Sequence, residues 1–496
     1  MSASLPFSSP LYEDVVGDAP LQVLPPALVP TLLERHLEEL RAFYQSAPTQ
    51  PTNGGRFYRQ LLARYYRNLI PTDASVLEIG CGSGHLLERL PNRDVVGLDI
   101  SAKRIVAARL RVPRGQFHVM AGENLKLDRK FDVVVLSETL NFAADVQKIL
   151  ENVHAVSHPR TRLVLNFHSG LWRPLLGLAT SLGLRAEHPP CNWLSSTDMR
   201  NMLGLAGWDV VKQQGRLLMT GPCLGVEKLV NRFIAPFLSQ LALTVFQVAR
   251  PVLTPLQGKT VSVAIPARNE AGNIEAAVRR IPRLGKRTEI IFIEGNSTDH
   301  TWAEMERVRR AYPDLDIKVM RQSGRGKGNA VREAFDAARG EILMILDADL
   351  TMPPEELTKF YDVLVSGRAD FANGVRLVYP MEGKAMRFCN FVANKFFGVA
   401  FSWALGQPIK DTLCGTKVLF KEDYDRIAAN RAHFGDFDPF GDFDLLFGAN
   451  HLHLKIADIP IRYRDRTYGE TNIQRWSHGL LLLRMLSLAV MKIKFV

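Results

Sequence analysis

Cysteine is scarce and scattered in this chain: Cys81, Cys191, Cys223, Cys389 and Cys414 form no C-x-x-C pair. That spacing argues against a zinc site or a secreted disulfide framework and fits a reducing, cytosolic setting. Long apolar runs are missing as well. The nearest candidates, residues 396–405 and 480–491, are short or charge-interrupted, whereas a spanning helix needs roughly 20 apolar residues. Residues 1–6 show no basic stretch leading into an apolar core, so no signal peptide is expected. The expected location is therefore cytoplasmic, including the cytoplasmic face of a membrane. A net charge of +11 calls for an anionic partner such as a nucleotide or a phospholipid surface. No aromatic-basic recognition motif accompanies that charge, and no nucleic-acid partner is expected.

What is present is enough chain for two cores. With 496 residues and 46% hydrophobic content, two α/β units fit the usual domain size. Residues 1–59 read as a Pro-rich segment followed by a helical cap, with Leu32, Leu33, His36, Leu37 and Leu40 at helical spacing. The repeat Tyr58, Leu61, Leu62, Tyr65 continues it. Residues 60–252 read as the first domain and 258–470 as the second, with an amphipathic tail at 471–496. Between the domains, Arg250-Pro251-Val252-Leu253-Thr254-Pro255 reads as a short stiff linker.

The first domain opens with a strand, Ser75-Val76-Leu77-Glu78-Ile79, that enters the loop Gly80-Cys81-Gly82-Ser83-Gly84. A helix and a second strand ending in Asp99 follow. This is a βαβ unit with an acid placed for ribose hydroxyls. His85 stands where a dinucleotide fingerprint needs glycine, which disfavours NAD. The pattern Glu78-x-Gly80-x-Gly82-x-Gly84 with Asp99 resembles class I S-adenosylmethionine-dependent methyltransferases. The strand patterns at Phe131 to Leu136 and Leu163 to Asn166 extend the likeness. It implies that Glu78, Gly80, Gly82, Gly84 and Asp99 bind S-adenosylmethionine. No base for methyl transfer is identified, although Glu138, Asn141 and His168 fall near the expected strand ends. A non-catalytic scaffold is the alternative.

The second domain carries Asp347-Ala348-Asp349 at the end of an apolar strand, residues 341–346, where two carboxylates one residue apart suit a hard cation against a phosphate. Three further blocks precede it: Pro266-Ala267-Arg268-Asn269-Glu270, Glu294-Gly295-Asn296-Ser297-Thr298-Asp299 and Gly324-Arg325-Gly326-Lys327-Gly328. Together they resemble glycosyltransferase family 2. Downstream, Asn373 to Arg376, Lys410 to Gly415 and Asp465 to Asn472 narrow the likeness to dolichyl-phosphate mannose synthases.

By that resemblance, Pro266, Arg268, Glu270 and Glu294 line a nucleoside pocket and Lys327 lies near the diphosphate. Asp347 and Asp349 hold Mg²⁺ or Mn²⁺, with Asp349 also catalytic. Arg376, Arg387 and Arg466 neutralise donor and acceptor phosphates. The donor is a UDP- or GDP-sugar, and the acceptor is a polyprenyl phosphate or a glycan. A phosphate needs no general base, whereas a sugar hydroxyl needs Asp442 or Asp444. Thr351, Gly295 and Asn472 depart from the family pattern, which leaves donor and acceptor identity open. The expected fold is α/β, two Rossmann-like doubly wound domains in tandem: class I methyltransferase-like, then glycosyltransferase A-type. The aromatic-rich stretch 387–405 and the tail at 480–496 are each expected either to lie in a bilayer interface or to dock between domains. His451 and His453 read as exposed polar residues rather than a metal pair.

Overall fold

The computed structural model describes residues 31–49, 53–182, 188–379, 388–431, 441–466, 468 and 475–496. Two mixed seven-stranded sheets organise the chain. The first contains β1 (Val76–Ile79), β2 (Val95–Asp99), β3 (Gln116–Val119), β4 (Phe131–Ser137), β5 (Ser157–His168), β6 (Trp208–Arg216) and β7 (Thr244–Pro251). Their order is β3-β2-β1-β4-β5-β7-β6. The inner strands β1, β2 and β4 pair in parallel and are nearly all buried, as expected of strands covered on both faces by helices. The order reverses between β1 and β4, where a doubly wound sheet opens a crevice at its strand ends.

The second sheet contains β8 (Val261–Ala267), β9 (Thr288–Glu294), β10 (Asp316–Arg321), β11 (Ile342–Ile345), β12 (Phe371–Val375), β13 (Lys417–Phe420) and β14 (Ile456–Pro460), in the order β10-β9-β8-β11-β13-β12-β14. β13 runs antiparallel to both β11 and β12. This brings the loop that ends in Gly415 back over the carboxyl end of β11.

The strand at Thr244–Pro251 inserts between β5 and β6, antiparallel to both, and β6 is the edge. Two sequence readings change. Arg250 is not a linker residue, because β7 continues through it and only 1% of it is exposed. His453, likewise, is 1% exposed, and its Nε2 lies 2.6 Å from the Leu69 carbonyl.

Arg250 and His453 are buried because the two sheets pack on each other. Asp370, just before β12, accepts from Arg162 of β5 at 2.8 Å and from Arg250 at 2.7 Å. Arg250 also donates to the Gly367 carbonyl and lies 3.3 Å from Asp209, while Lys455 reaches Asp209 at 2.5 Å. At the rim, Arg160 pairs with Glu422 and Asp423.

A second feature of the surface is apolar. On and beside the helix Arg173–Ser181, Leu171, Leu175, Leu178 and Leu182 are exposed, as are Leu224, Leu229, Phe237 and Leu241 further on. Trp172 ties the two segments by donating to the Leu241 carbonyl, and Phe237 stacks on Trp403 at 4.7 Å. Trp403 belongs to the helix Phe388–Leu405, which buries Phe397 and Phe401 but exposes Val392, Phe396 and Val399. The helix Arg475–Ala489 divides similarly: Leu482 and Met485 are buried, Leu480 and Leu483 exposed. Both segments therefore dock on one side and leave an apolar strip on the other. Among the described residues, no helix is long and apolar enough to cross a membrane.

Removing an acid from two buried guanidinium groups leaves charge without compensation. Asp370→Ala is expected to cost about 3–5 kcal/mol, read as a lowered urea midpoint, whereas Glu422→Ala, which removes the exposed rim partner of Arg160, should cost less than about 1 kcal/mol. Equal effects would refute the central role of Asp370.

Candidate active sites in the two sheets

In the first sheet, β1 delivers Glu78 and the glycine loop to the crevice beside β4. Gly80, Gly82 and Gly84 all have positive φ, so the loop needs residues without a Cβ penalty. A Cβ on Gly80 would come within 2.6 Å of Thr139 Oγ1, whereas one on Gly82 would meet nothing within 4 Å. The loop thus packs on one side and opens on the other. Asp99, ending β2, accepts from the Gly82 amide at 2.8 Å and from the Ser101 amide at 2.9 Å. Its burial raises its pKa, and these amide donors work against that rise. Glu78 is buried with Oε2 lacking a hydrogen-bond partner, and desolvation, reinforced by Asp99, pushes its pKa well up. An orphaned carboxyl oxygen beside an open glycine loop is a hydrogen-bonding position that hydroxyls of an adenosyl group would satisfy. The residues present therefore fit S-adenosylmethionine. The N-terminal cap closes over the same loop: Ser83 donates to the Thr49 carbonyl and Ser101 to the Tyr44 carbonyl.

A polar cluster stands at the ends of β4 and β5. Glu138, in the left-handed region at φ 60°, accepts from Tyr58, and its Oε1 lies 2.9 Å from His168 Nε2. Tyr58 also lies 3.0 Å from Thr244 Oγ1 and 3.3 Å from His168. Burial raises the Glu138 pKa, but His168 and Tyr58 outweigh it, so the carboxyl is held below its usual range. Tyr58 and Thr244 were not legible as site residues, because Tyr58 falls in the helical repeat and Thr244 at an unremarkable strand start. Asn141 braces the cluster from behind: its Oδ1 accepts from the His168 amide at 3.3 Å and its Nδ2 donates to the Asn192 carbonyl at 3.2 Å.

In the second sheet, the ends of β8, β9 and β11 converge. Asn269, Asn296 and Leu350, one after each strand, have φ between 52° and 57°. Left-handed backbone at non-glycine residues is uncommon and collects at functional turns. Pro266 lies within β8, Arg268 is exposed just beyond it, and Glu270 is buried. Burial raises the Glu270 pKa, with Asn273 and Arg466 opposing. Glu294, ending β9, accepts from the Ser297 amide.

Asp347 and Asp349 emerge from β11. Asp347 pairs with Lys327 at 2.5 Å. Burial raises its pKa, yet Lys327, Arg376 and Lys417 together hold it below the usual carboxylate range. Asp349 accepts from Arg466 at 2.6 Å through Oδ2 and from Thr351 Oγ1 at 2.8 Å through Oδ1. Arg466 continues to Glu270 at 3.2 Å. Thr351, the departure from the family pattern, thus buttresses Asp349. A Cβ on Gly415 would come within 2.2 Å of both Asp347 Oδ2 and Lys327 Nζ, so a larger residue there would push the paired side chains from the positions they hold. Two hard carboxylate donors at one strand end, each paired with a cationic side chain, fit Mg²⁺ or Mn²⁺.

Other expected residues are placed differently. The Nε and NH2 donors of Arg376 are committed to Asp411 at 2.8 and 2.9 Å, which makes Arg376 part of the scaffold rather than a free phosphate arm. Asp444 Oδ2 lies 2.9 Å from Arg431 and 3.2 Å from Arg332. Asp442 begins the helix Asp442–His451; a Cβ on the preceding Gly441 would come within 2.6 Å of Gly328, so the helix start abuts the Lys327 loop. Arg387 lies outside the described residues, as does Asn472.

Comparisons with known proteins agree with this division. The Glycosyl transferase family 2 model matches residues 262–427, and a Methyltransferase domain model matches residues 52–213. A dolichol-phosphate mannosyltransferase from Pyrococcus furiosus is 29% identical over 223 residues, 43% of this chain and 59% of that protein. A polyprenol monophosphomannose synthase from Mycolicibacterium smegmatis is 28% identical over 42% of this chain and 78% of its own length. Among solved structures, glucosyl-3-phosphoglycerate synthase from Mycobacterium tuberculosis, in complex with Mn²⁺ and UDP, is 20% identical with a TM-score of 0.36, covering 48% of this chain and 80% of that one. The chain is a fusion of a methyltransferase domain with a glycosyltransferase family 2 domain that resembles dolichol-phosphate mannosyltransferases.

Proposed function

We propose that the second domain transfers a sugar from a UDP- or GDP-sugar to a polyprenyl phosphate, dependent on Mg²⁺ or Mn²⁺. The observation that carries this reading is the paired arrangement Lys327–Asp347 and Arg466–Asp349 at the ends of β8, β9 and β11. A divalent cation held by Asp347 and Asp349 supplies charge neutralisation for the departing nucleoside diphosphate. Pro266, Arg268, Glu270 and Glu294 hold the nucleoside, Lys327 supports the diphosphate, and Arg466, freed from Asp349, attracts the acceptor phosphate. That acceptor attacks the anomeric carbon directly as the bond to the diphosphate breaks, inverting the centre. A phosphate acceptor is favoured over a sugar hydroxyl because Asp444, one of the two candidate bases, already faces Arg431 and Arg332. Asp442 remains the base for a hydroxyl acceptor.

The first domain, in this reading, binds S-adenosylmethionine through Glu78, the Gly80 to Gly84 loop and Asp99. The Glu138–His168 pair, held by Tyr58, takes the proton from an acceptor hydroxyl. The exposed apolar residues around Leu175, Leu224 and Phe237, with basic Arg173, Lys228 and Arg232 among them, rest the enzyme on the cytoplasmic face of a membrane where lipid phosphates are found.

Three measurements test these assignments. With Mn²⁺ and polyprenyl phosphate, Asp349→Ala is expected to lower nucleoside diphosphate release from the matching sugar donor by about 100-fold or more; undiminished turnover would remove the metal role. Titrating S-adenosylmethionine into the full chain should give saturable binding that Asp99→Ala weakens by about tenfold. No binding in the parent protein would leave the first domain as a scaffold. Flotation with anionic vesicles should capture the parent chain and lose the Leu175→Glu/Leu178→Glu variant; equal capture would free that face from the membrane.

A further inference from the structure

Away from both crevices, a cavity of about 130 Å³ lies between the domains. Edge strand β6 and the helix Asn53–Leu69 supply one wall, and the segment from Asn450 to His453 supplies the other. Its lining holds Lys212, Arg216, Arg67, His451, His453 and Lys492, and no Asp or Glu side chain. Lys212 is only 5% exposed. No hydrogen bond or ion pair reaches its ammonium group among the described residues. Arg216, also buried, spends its donors on the Lys494 and Ile493 carbonyls at 2.6 and 3.2 Å and on Gln214 at 2.7 Å, so its charge finds no acid. Lys494 is buried nearby, its ammonium 5.6 Å from the Trp403 ring.

Buried cations are normally paired, because an isolated one loses its hydration without return. Here the desolvation is severe enough to bring Lys212 and Lys494 each down to about 7, with neighbouring cations adding to it. Two buried acceptors share the cavity wall. His453 Nε2 is engaged by the Leu69 carbonyl, which leaves Nδ1 as a lone pair, and that atom has no partner. Asn450 Oδ1 is also buried without one. The wall therefore presents concentrated positive charge together with acceptors that need a hydroxyl donor.

We propose that this cavity binds a small phosphate-bearing anion, with Lys212 as its charged anchor and His453 and Asn450 accepting from its hydroxyl. Hydrogen phosphate carries ionised oxygens and a hydroxyl donor on one small group, which matches this wall, whereas a phosphate monoester, with a second pKa of about 6, has mostly lost that hydroxyl at neutral pH. Sulfate has the same shape and charge but no hydroxyl at neutral pH. Because β6 belongs to the first sheet and His453 to the second half, the ligand bridges the domains. The site is independent of the sugar-transfer reading, since none of its residues belongs to either crevice.

Calorimetric titration of the full chain with inorganic phosphate, with sulfate in parallel, tests this. Phosphate is expected to bind at one site that Lys212→Met weakens by about tenfold or more, the size of a lost charge-assisted contact. Sulfate should bind more weakly than phosphate. In phosphate-free buffer Lys212→Met should melt at a higher temperature than the parent, because an uncompensated buried charge has been removed, and should lose the rise that phosphate gives the parent. Lys212→Gln provides the same comparison should the methionine variant fail to fold. Phosphate binding by either variant equal to the parent's would overturn the site. Equal affinity for sulfate would overturn the roles of His453 and Asn450, and no binding to the parent would overturn the proposal as a whole.

Discussion

One carboxylate fixes how the molecule's two halves meet. Asp370 sits at the start of β12 and takes a guanidinium on each oxygen, Arg162 from β5 and Arg250 from β7. A single buried charge pair gains little over apolar packing, because desolvation offsets the attraction. Its value lies in geometry. Planar guanidinium groups on both oxygens, further fixed by the Gly367 and His453 carbonyls, admit one relative position of the sheets. With that position set, His453 is buried against the Leu69 carbonyl and the interdomain cavity takes its shape.

The two crevices follow one construction principle on different sheets. Each places acids at the carboxyl end of a buried parallel strand and lets a glycine bring another chain segment into close range. In the first, Gly80 fits beneath Thr139; in the second, Gly415 lies on Asp347 and Lys327. In both, non-glycine residues adopt left-handed backbone at the mouth: Glu138 in one, Asn269, Asn296 and Leu350 in the other. Such turns fix side-chain direction at a cost that the surrounding core sustains.

Both sheets could be foreseen because apolar strands ending in glycine or acidic motifs are local patterns. Glu78, Asp99, Asp347 and Asp349 each follow directly from the strand that carries them. What escaped the sequence depends on pairing between distant segments. β6 alternates weakly because its polar side chains face the other domain rather than water, and Lys212 therefore resembles an ordinary surface lysine. Arg250 sits beside Pro251 and looks like punctuation, although its partner lies 120 residues further along. Tyr58 obeys a helical apolar repeat, and only the docking of that helix shows that its hydroxyl faces Glu138.

The pairing of Lys327 with Asp347 and of Arg466 with Asp349 bears on the order in which ligands arrive. On the proposed sugar-transfer reading, a divalent cation would displace the ammonium and guanidinium groups that balance the carboxylates, and those groups would then need anions of their own. A diphosphate entering at the same time would provide them. The cleft would then serve an exchange of partners in which total charge hardly changes, with metal and nucleotide each raising the other's affinity.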